Sequence, residues 1–159
     1  KRPVLGVIYV PVKKLLYIAQ VSEGAYRIDE IDHETVPETF ADLMQNSQRL
    51  PLQAESEREK FVIIGSRSHG GKELEDFVRE KEKEYGQVEF ISAGSSLKFC
   101  KVAEGKADLY PRLGPTMEWD TAAGQAIVEA SGKTVKIWDT DEPLTYNRPE
   151  LRNPWFVVK

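Results

Sequence analysis

The segment at residues 65–72 has the composition of a loop that could bind phosphate. It reads Gly-Ser-Arg-Ser-His-Gly-Gly-Lys and follows an apolar run, so it offers two hydroxyls, a guanidinium and an imidazole at the end of a predicted strand. A Walker A loop would end in Gly-Lys-Ser or Gly-Lys-Thr, whereas this segment continues Gly-Gly-Lys-Glu, so that motif is absent. From this loop alone, a solvent-exposed His69 without a ligand is the favoured interpretation.

A second candidate is the Ala-Gly-Ser-Ser-Leu-Lys segment at residues 93–98. Ser95 is predicted to cap the helix that follows, which leaves backbone N–H groups free at the positive end of that helix. Lys98 stands three residues later on the same helical face, and Gly94 lets a ligand approach the backbone closely. These features predict an anion site, although an ordinary capped helix with a surface lysine explains them equally well.

The third candidate is the Met-Glu-Trp-Asp-Thr-Ala-Ala-Gly segment at residues 117–124. Asp120 stands where a helix is predicted to begin, and a carboxylate held there suits a hard cation such as Mg²⁺ as well as it suits a helix cap. The three small residues after Thr121 would let the helix end approach another backbone or a bound ion. Arg112 follows a predicted strand at residues 107–110 and opens toward the same sheet edge, where its guanidinium could clamp a phosphate.

The elements that must position these loops alternate regularly after residue 60. The pattern predicts an antiparallel meander over residues 1–28 and a polar connector over residues 29–60, with one short helical turn near Phe40. Residues 61–159 are predicted to form an α/β layer with a mostly parallel central sheet, whose ligands gather at strand-to-helix turns. The predicted meander strands are 4–10, 15–21 and 25–28, the later strands 61–64, 88–91, 107–110, 134–137 and 155–158, and the helices 72–85, 96–105 and 121–131.

The composition excludes several classes of protein. The 159 residues suffice for one domain with a sizeable core. The net charge of −4 argues against a protein that coats nucleic acids. Cys100 is the single cysteine, which excludes an internal disulfide and favours a reducing, cytoplasmic setting, with peripheral attachment to the inner face of the membrane as the alternative. No apolar run is long enough to cross a bilayer.

Four segments together resemble the inositol monophosphatase superfamily, and within it the bacterial 3'(2'),5'-bisphosphate nucleotidases of the CysQ type. The Trp-Asp-Thr-Ala-Ala-Gly motif is specific to the superfamily, and the likeness extends over nearly the whole chain. The resemblance is narrowed from the superfamily to the nucleotidases by Lys98, Arg112 and the loop at residues 66–69. The segments are Ala-Gly-Ser-Ser-Leu-Lys-Phe-Cys at 93–100, Val-Ala-Glu-Gly at 102–105, Ala-Asp-Leu-Tyr-Pro-Arg at 107–112 and Trp-Asp-Thr-Ala-Ala-Gly at 119–124.

The resemblance implies a fold, a reaction and a set of site residues. The fold would be a layered α-β-α-β-α sandwich, of which this chain supplies the C-terminal α/β layers. The reaction would be the Mg²⁺-dependent removal of a phosphate from 3'-phosphoadenosine 5'-phosphate, giving AMP, with the sulfated analogue as a further substrate. Asp120 would be the catalytic metal ligand and would also contact the substrate. The other implied substrate-binding residues are Ser66, His69, Gly94, Ser95, Lys98 and Arg112.

The chain departs from the family pattern in one respect. The family's other metal ligands lie in a Glu-Glu segment and an Asp-Pro-(Ile/Leu)-Asp-Gly-Thr segment, and this chain contains no Asp-Pro and no Asp-Gly dipeptide. We therefore expect an upstream half of the enzyme to be missing and the 159 residues alone to be inactive. The sheet partner lost with it would leave apolar surface at residues 4–10, which favours aggregation or a homodimer. Two alternatives remain: an inositol or sugar phosphatase of the same superfamily, and a non-catalytic nucleotide-binding module.

Overall fold

The computed structural model describes residues 1–32, 34, 37–53, 59–66 and 71–159. The first sheet is antiparallel, with strand order β1-β2-β3-β4. The predicted meander is confirmed, and a 3-10 turn at Pro11–Lys13 joins its first two strands. The strands are β1 (Leu5–Val10), β2 (Leu15–Gln20), β3 (Gly24–Ile28) and β4 (Ser47–Arg49).

Two short elements form inside the stretch that the sequence assigns to a polar connector. The helix α1 (Phe40–Gln45) is capped by the Thr39 hydroxyl, which accepts the backbone N–H of Asp42 at 3.1 Å. This is the short helical turn that Phe40 suggests. Strand β4 is unexpected because its three residues are all polar, yet it pairs with β3 and adds a fourth strand to the meander.

The strands after residue 60 correct the prediction of a mostly parallel sheet, because they form a two-stranded sheet, β5-β6, and a three-stranded sheet, β7-β9-β8. Among the described residues, β5 and β6 are the one pair of full strands that runs parallel, and an isolated parallel bridge joins Ile63 to Leu109. Strand β9 pairs antiparallel with β7 on one side and with β8 on the other. The elements are β5 (Phe61–Gly65), α2 (Lys72–Tyr85), β6 (Val88–Ser92), α3 (Leu97–Ala103), β7 (Tyr110–Arg112), α4 (Glu118–Ala130), β8 (Val135–Ile137) and β9 (Phe156–Val158).

The connection before β9 explains this difference. A parallel pair needs a crossover, usually a helix, to carry the chain back to the starting edge. Helices α2 and α4 supply crossovers, whereas the chain from residue 138 to residue 155 contains no helix and returns antiparallel. The result is a mixed α/β fold rather than a parallel sheet.

Helices α3 and α4 pack against each other, with α4 also against β1–β3 of the first sheet and α3 against β5 and β7. A Cβ added at Gly6 in β1 would lie 2.3 Å from the backbone oxygen of Ala123, so only glycine permits this approach of strand and helix. On the other side, a Cβ at Gly124 would lie 2.6 Å from the Phe99 ring of α3. Packing therefore explains the small residues at the start of α4, for which the sequence left a bound ion as an alternative.

Strand β1 lies at the edge of its sheet and exposes apolar side chains. The exposed fractions are 71% for Val4, 58% for Leu5 and 49% for Val7. An exposed apolar edge strand is a template for pairing with another chain, so the expected liability at residues 4–10 stays a prediction with structural support. In the described part of the chain, no helix is both long and apolar enough to cross a membrane.

A candidate anion site between three strand-to-helix loops

A cavity of about 240 Å³ lies where the three candidate loops meet. Five of the residues expected at the site line it: Ser66, Ser95, Lys98, Arg112 and Asp120. Gly94 lies in the same turn as Ser95 but is not among the described residues that line the cavity, and His69 falls outside the described residues. The remaining lining residues are Ser96, Phe99, Tyr110, Pro115, Thr116 and Thr121.

Lys98 is the buried cation of this cavity, with only 4% of its surface exposed. Its Nζ donates to the backbone oxygens of Ser95 at 2.8 Å and Ala93 at 3.2 Å, and it lies 5.3 Å from the Tyr110 ring centroid. Burial, together with the positive charge of Arg112, lowers the pKa of Lys98 to about 8. A buried ammonium held at two carbonyls is not the surface lysine that the alternative interpretation requires.

The turn before α3 differs from the one that the sequence predicts. Ser95 adopts a left-handed backbone with φ of 47°, and Ser96 occupies the N-cap position without a side-chain cap bond. The prediction that Ser95 caps the helix is therefore wrong. The left-handed turn instead directs the Ser95 carbonyl at Lys98, so the turn holds the lysine. A Cβ added at Gly94 would meet nothing within 4 Å, which leaves room for a ligand beside this backbone.

Arg112 ends β7 and is fixed at one side of its guanidinium. Its Nη2 donates to the backbone oxygen of Pro115 at 2.8 Å. Its Nε is buried and has no hydrogen-bond partner among the described residues. Buried donors are nearly always paired, so an unpaired guanidinium N–H beside a cavity indicates a place for an acceptor such as a phosphate oxygen.

Asp120 lies in the first turn of α4 rather than before it. The helix begins at Glu118, three residues earlier than predicted, because Met117 takes the N-cap position. The Asp120 Oδ2 accepts the backbone N–H of Met117 at 2.9 Å, so this carboxylate does stabilise the helix start. Asp120 is exposed at the cavity, so the same side chain can also face a ligand.

Comparison with known proteins decides the family. A model of the inositol monophosphatase family matches residues 1–154. The chain belongs to the inositol monophosphatase family. The crystal structure of CysQ from Bacteroides thetaiotaomicron, a bacterial member of the same family, superposes with a TM-score of 0.90 at 50% identity, over 99% of this chain and 58% of that one.

Curated relatives support the same placement. The chain is 40% identical to 3'(2'),5'-bisphosphate nucleotidase CysQ of Escherichia coli (strain K12) and 41% identical to that of Salmonella typhimurium, each over 158 residues. Each alignment covers 99% of this chain and 55% of the relative, so the chain spans about half the length of these proteins. Inositol monophosphatase II from Staphylococcus aureus shares the fold, with a TM-score of 0.59 at 23% identity.

The family resemblance implies a bound Mg²⁺, and the described residues supply one side chain suited to be its ligand. Magnesium in proteins takes oxygen ligands, and Asp120 offers one carboxylate that lines the cavity. Among the described residues, no group of three or more histidine, cysteine, aspartate or glutamate side chains is placed to hold a metal ion. These residues do not fit a complete coordination sphere.

Several residues that line or support this cavity were not singled out from the sequence. Thr116 and Thr121 line the cavity, and Tyr110 forms its aromatic wall. Asn153 lies far along the chain but contacts the first turn of α4, where its side chain donates to Thr121 Oγ1 at 3.0 Å. The Asn-Pro pair at residues 153–154 lies near the end of the family likeness, but sequence spacing cannot indicate a contact with residue 121.

Proposed function

We propose that this chain provides the phosphate-binding half of a magnesium-dependent 3'(2'),5'-bisphosphate nucleotidase, which releases phosphate from 3'-phosphoadenosine 5'-phosphate. In this proposal Lys98 and Arg112 bind the phosphates, with Ser66, Gly94, Ser95 and His69 around the nucleotide. Asp120 is one metal ligand, and the remaining ligands come from a segment outside these 159 residues.

The observation that carries the proposal is the pair of cations at one small cavity. Lys98 and Arg112 line the same cavity, and after burial it is the positive charge of Arg112 that lowers the pKa of Lys98. Such an arrangement is costly without an anion and becomes favourable when phosphate neutralises both charges. Two cations also suit a substrate with two phosphates better than a monophosphate.

A binding experiment with this chain tests the proposal. Calorimetry should give a dissociation constant for 3'-phosphoadenosine 5'-phosphate on the order of 1–100 µM without metal, the class expected of a phosphate clamp alone. AMP should bind at least roughly tenfold more weakly because it lacks one of two charge-assisted contacts. With Mg²⁺ added, phosphate release should stay at the level of the blank.

The outcomes separate the alternatives. Failure to bind the bisphosphate would refute the proposal. Preference for inositol 1-phosphate over the bisphosphate would favour an inositol phosphatase of the same family. Rapid turnover by these 159 residues would contradict the placement of the other metal ligands outside them. A non-catalytic nucleotide-binding module, which the lack of a metal cluster among the described residues favours, predicts that no longer form of the protein hydrolyses the ligand.

The pKa of Lys98 predicts a pH dependence for binding. The ammonium loses its proton as the pH rises through about 8, and a bound phosphate favours the protonated form. Affinity for 3'-phosphoadenosine 5'-phosphate should therefore fall roughly tenfold between pH 7 and pH 9, as one proton becomes linked to binding. Isothermal titration across this range measures the effect.

The variant Lys98→Met serves as the control for that titration. Its affinity should be low and should vary little with pH over this range. Its free energy of unfolding at pH 7 should be no lower than that of the parent protein. The protonated Lys98 destabilises the fold below pH 8, and this cost disappears as the pH rises from 8 toward its ordinary pKa of 10.5. A parent profile that is flat from pH 7 to pH 9 would contradict the role of Lys98.

A further inference from the structure

The end of the chain returns to the back of the cavity. Residues 146–153, here called the C-terminal strap, lie between β8 and β9 and against the start of α4. The backbone N–H of Glu118 donates to the Leu151 oxygen at 2.9 Å, and the N–H of Asn153 donates to the Thr116 oxygen at 2.8 Å. The strap thus pairs with residues 116–118 as a short antiparallel ladder, whose bridge joins Met117 to Arg152.

The Asn153 side chain contacts three oxygen atoms at once, all in the segment at residues 116–121 that leads into and begins α4. It is 5% exposed, and its Nδ2 lies 2.9 Å from the Met117 carbonyl oxygen, 3.0 Å from Thr121 Oγ1 and 3.2 Å from Thr116 Oγ1. Both threonines line the cavity, whereas Asn153 lies behind them. The amide therefore contacts the cavity wall without lining the cavity itself.

A second contact fixes the orientation of this amide. The Asn153 Oδ1 accepts Nη2 of Arg148 at 3.0 Å, and the same nitrogen donates to the Arg152 backbone oxygen at 3.0 Å. Glu118 holds Arg148 in turn by accepting its backbone N–H at 3.1 Å. The Met117 carbonyl faces Nδ2 and the Arg148 guanidinium faces Oδ1, so a flipped amide would place acceptor against acceptor and donor against donor at these two contacts.

Residues 115–117, which Asn153 contacts, also fix the orientation of the Arg112 side chain. The guanidinium of Arg112 donates to the carbonyl of Pro115, the residue directly before Thr116. Asn153 binds both the backbone oxygen and the hydroxyl of Thr116, so it fixes the peptide unit next to that carbonyl. A shift of residues 115–117 would rotate the guanidinium, whose planar geometry makes its phosphate bonds sensitive to angle.

We propose that Asn153 is a positioning residue for phosphate binding, acting through residues 115–117 on Arg112. The proposal rests on the proposed function, because Arg112 must bind the ligand for its orientation to matter. Only a side chain with two N–H donors and one acceptor in a single planar group satisfies the contacts observed. Aspartate has the same shape but lacks the donors.

A double-mutant cycle tests the proposal, with 3'-phosphoadenosine 5'-phosphate as the probe. Affinities are measured by calorimetry for the parent chain, Asn153→Ala, Arg112→Ala and the double variant, at a temperature where circular dichroism shows all four folded. Asn153→Ala should weaken binding roughly tenfold in the parent and less than roughly twofold in the Arg112→Ala background, because coupled residues are not additive. Asn46→Ala, at the exposed C-cap of α1, is the matched control and should bind like the parent.

The cycle distinguishes positioning from general support of the fold. A purely structural role would lower the melting temperature and leave the affinity of the folded protein unchanged, or reduce affinity equally in both backgrounds; either result would overturn the proposal. If Asn153→Ala does not fold, Asn153→Asp replaces it, because it keeps the acceptor for Arg148 and loses the donors to the loop. Failure of the parent chain to bind would refute the proposed function instead.

Discussion

The replacement Arg112→Ala should weaken the binding of 3'-phosphoadenosine 5'-phosphate roughly 100-fold, which corresponds to about 2.7 kcal/mol. The guanidinium combines a full charge with a buried Nε that has no partner among the described residues. A forked, charge-assisted contact to phosphate supplies affinity of this size. Calorimetry on the purified variant and the parent measures the loss.

Two further variants make the interpretation specific. Arg112→Lys keeps the charge without the planar fork, so it should recover only part of the affinity. Arg49→Ala removes an arginine of the first sheet, which does not line the cavity, and should bind like the parent. Arg112→Ala should itself remain folded, because the Arg112 side chain is only partly buried and its Nη2 binds a backbone oxygen, that of Pro115, at 2.8 Å. Parent-like affinity of Arg112→Ala would exclude Arg112 from the site.

The fold could be predicted from sequence wherever the pattern is local. Helix α2 carries an apolar stripe and ends at Gly86, and its observed bounds match the prediction. Strand β9 has a clear apolar run as well, but its direction depends on the path of the chain between residues 138 and 155. Strand β4 has no pattern at all, since its pairing with β3 arises from tertiary contact.

The candidate site likewise has residues that could be predicted from the sequence and a backbone turn that could not. The sequence predicts Lys98 on a helix, Arg112 after a strand and Asp120 at the start of a helix, and the structure brings all three to one cavity. The left-handed turn at Ser95 could not be predicted, because serine rarely adopts a positive φ and only the contact with Lys98 accounts for it. The roles of these residues in binding await the experiments proposed above.

A second buried charge holds α3 in place from its other end. Glu104 is fully buried one residue after the helix, where three side chains donate hydrogen bonds to its carboxylate and a fourth forms an ion pair with it. Its backbone oxygen also accepts the N–H groups of Leu52 and Gln53, at 3.0 Å and 3.2 Å. The three donors are the Tyr17 hydroxyl at 2.6 Å, Arg27 Nη1 at 3.0 Å and Lys101 Nζ at 2.8 Å, and the ion pair is with Lys106 Nζ at 3.2 Å.

This network should make Glu104 the most sensitive charged position for stability. Burial alone would raise the pKa of Glu104, but the hydrogen bonds and charges of Lys101, Tyr17 and Lys106 outweigh it and hold the pKa below its ordinary value. A lowered pKa means that the ionised form stabilises the fold. That contribution is complete above the ordinary pKa of 4.5 and is lost as the pH falls below it.

The replacement Glu104→Ala should lower the free energy of unfolding by about 3–5 kcal/mol, because it leaves the Tyr17 hydroxyl and the Arg27 charge without their buried acceptor. Urea unfolding at pH 7 measures this loss, and Glu104→Gln should lose less because it keeps the shape. The difference between parent and Glu104→Gln should shrink as the pH is lowered from 7 to about 3. The control Glu84→Ala, which breaks an exposed pair with Lys81 on α2, should leave the free energy of unfolding close to that of the parent. Equal stability of Glu104→Ala and the parent would show that the network does not hold α3.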